Sequence, residues 1–432
     1  MPNTVSDVSR PLPPFERPPK QQKTMRLLPF FAVLAVGIAA GCSSSHGASS
    51  LTPPGTHASG GLRQADNISR ALPAASPTPV PADQASCDGD GAAQASCGVK
   101  KGGNGPSKTP SGGLTPAQLR SAYGLPPAAT GSGVPNGPLV AIVAAYDDKD
   151  AENDLASYRS QFGLPACTSK NGCFTKVQMK PTPGAPPPAP KPPGNSPTAT
   201  TWNDEISLDL AMASAACPNC RLLLVEALGQ DLDSLAGAVA TAASYSPAAI
   251  SNSWGVPEGG GNVPNIDAAA QAAFDQPGIA ITASAGDLGA GQTQFPASSP
   301  YVTSVGGTTL TADASSPRGW DETVWSGSGN GCSIMVAIPS WQSAAGGCTG
   351  RAIPDVSFLA DSALGVAVYS SAEKGWVVLG GTSVGAPFVA GLYGAANDYG
   401  AGTVGAPALY ANLGNLNAVV GGPGSPNGLA GF

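Results

Sequence analysis

The chain has 432 residues, more than one ordinary domain, but it holds 57 glycines and 44 prolines, 15 of the prolines within the first 113 residues, so the composition predicts one folded unit behind a long linker. Residues 1–113 carry 10 Lys/Arg and 6 Asp/Glu, which leaves 11 and 22 for the remainder, a folded part about eleven charges negative. So acidic a body offers phosphate backbones no footprint, which excludes nucleic acid as a partner and suits work in acid.

Residues 1–24, PPFERPPK included, read as an unstructured extension, with Met25 as an alternative start. From Met25 to Cys42, MRLLPFFAVLAVGIAAGC sets Lys20, Lys23 and Arg26 before an apolar run and Ala39, Ala40 and Gly41 before Cys42, the pattern of a secretory signal. Its apolar run of roughly 15 residues is shorter than the ~20 that a membrane-spanning helix needs. Two mature forms follow, one released and one acylated on Cys42 and held by lipid at the outer face of the membrane; Ala39 stands where an acylation signal usually has a larger aliphatic residue. Both are extracytoplasmic.

Eight further cysteines fall into close couples: Cys87 with Cys97, Cys167 with Cys173, Cys217 with Cys220, and Cys332 with Cys348. Such spacing suits a disulfide framework in an oxidising compartment, although spacing alone does not fix connectivity. Cys217-Pro-Asn-Cys220 could also serve redox or zinc chemistry, but it lacks a second CxxC and a nearby histidine.

Residues 43–113 are rich in Ser, Pro, Ala and Gly and read as a disordered tether. The folded domain is expected over 114–432. It opens with LTPAQLRSAYGL from Leu114, whose Thr-Pro start marks a helix. PLVAIVAAYDD from Pro138, RLLLVEA from Arg221, AAISNSW from Ala248, GIAITASAG from Gly278 and YVTSVGG from Tyr301 are apolar runs of strand length. Helices are predicted over Glu152–Phe162, Asp204–Ala216, Leu232–Tyr245 and Ile266–Phe274. Strand and helix in alternation imply an α/β fold, a doubly wound parallel sheet with helices on both faces and its chemistry at the carboxyl ends of the strands. PTPGAPPPAPKPP from Pro181 reads as an exposed, extended spacer.

In GWVVLGGTSVGAPFVAGLYGAAN a strand meets a helix with Ser383 at the junction. There a backbone N–H and the helix dipole face any charge that develops on an attacked carbonyl, although a serine at that place is equally a common N-cap. A serine nucleophile needs a base, and the only histidines, His46 and His57, lie in the tether. A Ser-His-Asp machine is therefore excluded, although Asp147 and Asp148 at a strand end invite the comparison. A carboxylate must serve instead. In WNDEISLDLAMASAAC, Glu205 and Asp209 are four apart and project from one helix face, where two acids titrate as a pair; acids so spaced are also common on solvated faces. Asp204 points away and reads as a cap. In ITASAGDLGAG, Asp287 follows a strand end; protonated in acid, it could donate to an oxyanion, and it could equally be a turn residue.

Glu205 and Asp209 in EISLD, Asp287 in SAGD and Ser383 in GGTS, in that order, resemble the sedolisin or serine-carboxyl peptidase family. The similarity runs from about Leu114 to Asn397 and includes SNSWG from Ser251, FPASSPYVTSVGGT from Phe295, WDETVW from Trp320 and PDVSF from Pro354. The resemblance implies a subtilisin-like fold and a serine-type endopeptidase, a monomer acting on proteins or peptides in acid. Ser383 would attack, Glu205 take its proton, Asp209 orient Glu205, and Asp287 assist the oxyanion. Two departures are visible. The family carries a large N-terminal prodomain, for which the tether is too short and too polar. The family also binds calcium near the C-terminus, but no acidic residue follows Asp398, so that site is expected to be lost and no cofactor or metal is assigned. An exported binding protein that keeps the fold without turnover is the rival, which a serine-dependent peptide-cleavage assay would separate.

Overall fold

The apolar runs become neighbours in one eight-stranded sheet. Residues Leu139–Ala145, Arg221–Ala227, Ala249–Asn252 and Ala280–Ser284 are almost wholly buried, as strands covered on both faces must be. The computed structural model describes residues 95–128, 136–180, 201–258, 266, 268–342, 347–396, 404–419 and 421. All lie in the second of two units, Met1–Arg70 and Ala71–Phe432. The signal segment with Cys42, Cys87 and the proline-rich spacer fall outside the described residues.

Across the sheet the order is Trp320–Val324, Thr303–Ala312, Ala280–Ser284, Ala249–Asn252, Leu139–Ala145, Arg221–Ala227, Phe174–Gln178, with Val356–Leu359 also paired to Thr303–Ala312. Every pairing is parallel except that of Trp320–Val324. Val140 sits between Leu222 and Ala249, so later strands add to both sides of Leu139–Ala145, and the crevice for chemistry opens beyond the carboxyl ends at this switch.

Seven α-helices are described: α1 Pro116–Ala122, α2 Ala151–Gln161, α3 Trp202–Ala216, α4 Leu232–Ala243, α5 Ala268–Phe274, α6 Gly385–Ala396 and α7 Ala406–Tyr410. Helices α2, α3 and α6 pack together while α4 packs with α5, two separate groups against the sheet. Thr115 and Gln118 form a capping box on α1 with Pro116 in its first turn; Thr201 and Asp204 do the same on α3. Every residue of α3 except Asn203 is buried. Its close approach to α6 depends on Gly391, where a Cβ would stand 2.7 Å from that of Ala216. At this same, C-terminal end of α3, Arg120 Nη1 donates to Ala215 O (2.9 Å) and Ala216 O (2.8 Å). Arg159 donates to Ser214 Oγ (2.9 Å) and Pro218 O (2.7 Å). Carbonyls left over at the helix end thus find charged donors.

One boundary is corrected. The tether was expected to run to residue 113, yet Ala95 is already fully buried and two strands precede α1. Ser96–Cys97 pairs antiparallel with Gly255 and Trp254, and Lys100–Ser107 pairs with Gly375–Gly380. Backbone pairing needs no apolar side chain, so KKGGNGPS can be a strand while its composition reads as linker. Disulfides join Cys167–Cys173, Cys217–Cys220 and Cys332–Cys348, which ties Cys217 and Cys220 to a structural bridge just past α3. Cys97 is also disulfide-bonded, and the partner expected for it, Cys87, is not among the described residues.

Candidate active site

Ser383 follows the Gly375–Gly380 strand in a short 3₁₀ turn, Thr382–Val384, that leads into α6. The turn needs glycine at 381: φ is +96°, and a Cβ there would lie 1.8 Å from Gly98 O. Ser383 is completely buried, and its Oγ donates to Glu205 Oε2 at 3.0 Å, with Ser253 O 3.4 Å away.

Glu205 enters from the first turn of α3, and Asp209 lies one turn further on the same face. Both side chains are fully buried. Asp209 Oδ1 accepts from Ser253 Oγ at 2.6 Å, while Glu205 Oε1 and Asp209 Oδ2 are buried with no hydrogen-bond partner among the described residues, so the two neighbouring acids cannot both be ionised without cost. Burial first, and then the charge of Asp209, push Glu205 well above the ordinary carboxylate range; burial does the same to Asp209, against the hydrogen bond from Ser253. The pair therefore keeps a proton to higher pH than an isolated carboxyl would, with the oxygen facing Ser383 free to accept.

Asp287 follows the Ala280–Ser284 strand by way of Gly286. Its Oδ1 accepts from Thr382 N (2.9 Å) and Thr382 Oγ1 (2.8 Å). Among the described residues its buried Oδ2 has no partner. Burial raises this carboxyl, the nearby charge of Lys100 lowering it less, so in acid Oδ2 is a hydroxyl with nothing to donate to.

All four predicted residues thus surround one turn of backbone. Asp204 is the cap it was expected to be: its Oδ2 accepts from Thr201 N (2.8 Å) and its Oδ1 from Ser370 Oγ (2.7 Å), and burial pushes it up to about 6. Asp147 and Asp148 belong to another network. Lys176 pairs with Asp147 (2.6 Å) and with Glu226 (3.1 Å), and Glu226 accepts from Asp148 N (2.9 Å). Two contributors had no legible role in sequence. Ser253 lies within SNSWG as one small polar residue among strand residues, and Thr382 is a neighbour of the serine whose hydroxyl turns to Asp287.

A doubly wound parallel sheet with a buried serine at a helix start, met by a carboxyl where imidazole would be expected, defines a subtilisin-like α/β protein of the serine-carboxyl kind. No protein-family model matches the chain. Individual proteins do. Kumamolisin of Bacillus sp. (strain MN-32) is 32% identical over 325 residues, 69% of this chain and 54% of kumamolisin. Sedolisin of Pseudomonas sp. (strain 101) is 35% identical over 125 residues, 26% of this chain and 21% of that protein. The solved Pseudomonas sedolisin, complexed with two molecules of pseudo-iodotyrostatin, superposes with a TM-score of 0.59 at 23% identity, covering 76% of this chain and 92% of that one, a likeness of fold. The chain belongs to the sedolisin family and has its subtilisin-like fold. It spans about half the length of kumamolisin.

Residues 404–419 contain no carboxylate, and among the described residues no three His, Cys, Asp or Glu side chains come together as a metal site would need.

Proposed function

We propose that this protein is an extracytoplasmic serine-carboxyl peptidase that hydrolyses peptide bonds in proteins or peptides under acid conditions. The observation that carries the reading is the hydrogen bond of 3.0 Å from Ser383 Oγ to Glu205 Oε2, deep in a site without histidine. Ser383 Oγ attacks the scissile carbonyl as Glu205 takes its proton. Asp209, held by Ser253, shares the second proton of the acid pair and keeps Glu205 aimed at the serine. Asp287 supplies a neutral donor to the oxyanion beside the Ser383 amide, and Glu205 returns its proton to the leaving amine. Water then repeats the sequence on the acyl-enzyme.

The reading makes activity depend on two protonation states at once. The acid pair must have lost one proton, and Asp287 must have kept its own. Activity therefore falls on both sides of an acid optimum. The test is cleavage of a peptide mixture by the full chain and by Ser383→Ala between about pH 3 and 7. Serine-dependent cleavage in acid is the expected result; its absence across that range leaves the rival reading, a binding protein on the same fold.

A further inference from the structure

We infer that Thr382 is a positioning residue for the oxyanion donor: with Gly286 it forms a directed pair of hydrogen bonds that confines the acid proton of Asp287 to Oδ2, the oxygen offered to substrate. The inference rests on the peptidase reading above and adds one residue to its machinery.

A protonated carboxyl can carry its hydrogen on either oxygen, and only one of the two positions serves an oxyanion. The surroundings of Asp287 make the choice. Its Oδ1 accepts from Thr382 N (2.9 Å) and from Thr382 Oγ1 (2.8 Å). A backbone N–H has a hydrogen to give and cannot receive one, so a proton on Oδ1 would point at another hydrogen. The hydroxyl by itself would not decide, since threonine both donates and accepts. Its direction is set from behind: Gly286 N donates to Thr382 Oγ1 at 3.2 Å, which takes up a lone pair and turns the hydroxyl hydrogen toward Asp287. The run from Gly286 N–H through Thr382 O–H to Asp287 Oδ1 thus points one way.

The other oxygen is left for chemistry. Oδ2 is buried and has no partner among the described residues. A Cβ on Gly381 would stand 2.5 Å from it, so the bare glycine keeps this oxygen open. Thr382 also directly precedes the nucleophile, within the same turn, Thr382–Val384. One turn of backbone therefore places the attacking oxygen and holds the acid that meets the charge it creates. The proton is shared with the oxyanion as a hydrogen bond and stays on Oδ2; no bond to it breaks.

The same contacts tune the acid. Burial raises the Asp287 carboxyl, and the charge of Lys100 and then the hydrogen bonds from Thr382 lower it by less. Lys100 faces it from the strand Lys100–Ser107 and Glu205 from α3; residues 327–330, whose Gly329 N donates to Gly286 O (2.7 Å), carry no charged side chain. Loss of the Thr382 hydroxyl removes a donor that favours the ionised form, so Asp287 keeps its proton to higher pH.

The test is the pH profile of kcat and KM for one peptide that the parent chain cleaves, measured on Thr382→Val, Thr382→Ala and Thr382→Ser chains that retain the far-ultraviolet circular dichroism of the parent. Valine keeps the branched shape beside Gly307 and alanine avoids any crowding; both lack the hydroxyl. Either should lower kcat roughly ten- to a hundred-fold at the acid optimum, the size of one hydrogen bond to a charged group, with KM within about two-fold of the parent. The alkaline limb should move to higher pH, a shift that mere loosening of the turn does not produce. Thr382→Ser should restore both the rate and the limb. With Asp287→Asn in place, Thr382→Val should shift no limb, because the group it tunes no longer ionises. Hydroxyl-free chains whose alkaline limb stays at the parent's pH, whose loss appears in KM, or whose shift survives Asp287→Asn overturn the inference and leave the peptidase reading standing. A parent chain without serine-dependent cleavage overturns both.

Discussion

Helices α3 and α4 are nearly the same length and both lean on the sheet, yet they bury opposite chemistry. Helix α4 turns Leu232, Leu235, Ala238, Val239 and Ala242 inward and leaves Asp233 in solvent. Helix α3 buries Asp204, Glu205, Ser207, Asp209 and Ser214 along with its apolar residues. Burying a carboxyl opposes folding unless it stays protonated or finds donors, so a helix that buries three of them within six residues is shaped by something other than stability. The contrast separates a scaffold helix from a working one.

The sharpest way to break that contrast is Glu205→Gln, which keeps shape and removes the base; kcat/KM for peptide cleavage should fall on the order of 10⁴-fold, as when one member of a cooperating set is lost. Asp287→Ala should cost about 10² to 10³-fold, the scale of one oxyanion donor. Asp287→Asn should cost less and carry activity to higher pH, because an amide has no proton to lose where the raised carboxyl of Asp287 ionises. A pH–rate profile distinguishes the two.

Stability provides the next test. Burial raises Asp148 and Asp204 to about 6 and Glu226 to about 7, so the folded chain holds protons that the unfolded chain has released. Their contribution is complete below about pH 4 and is lost as the pH rises through about 6 to 7, on the order of 3 kcal/mol for each group. Urea unfolding should give a lower midpoint at pH 7 than at pH 4, the reverse of ordinary acid denaturation. The smallest effect belongs to the scaffold helix: Asp233→Asn on α4 should change stability by less than about 0.5 kcal/mol and leave peptide cleavage unaltered.

Much of this was legible in the residues. RLLLVEA became the strand Arg221–Ala227 without a shift, because a run buried on both faces carries its own signature. The predicted helices shifted by three residues or fewer at any end, since caps such as Thr115 and Thr201 are local chemistry. The order of Glu205, Asp209, Asp287 and Ser383 pointed to their assembly through family resemblance. Their spacing alone could not, since acids four apart look the same on a solvated face as on a buried one. What stayed hidden was non-local. Phe174–Gln178 alternates polar residues at a sheet edge and gives a weak signal, and Lys100–Ser107 is a strand only because Gly375–Gly380 lies beside it. Ser253 counts because of where Asp209 is, which no local pattern records.

The two arginines that close the far end of α3 have a consequence at its near end. Arg120 and Arg159 answer the negative pole of the helix with buried cations, and the opposite, positive pole lies beside Glu205, where it favours the ionised base against the cost of burial. Both arginines and both members of the acid pair lie out of reach of dissolved ions. Screening by salt acts on exposed charges and hardly on these. The field at the serine is thus a built-in property of the fold, and the titration that governs the site should read the same in dilute solution as in brine.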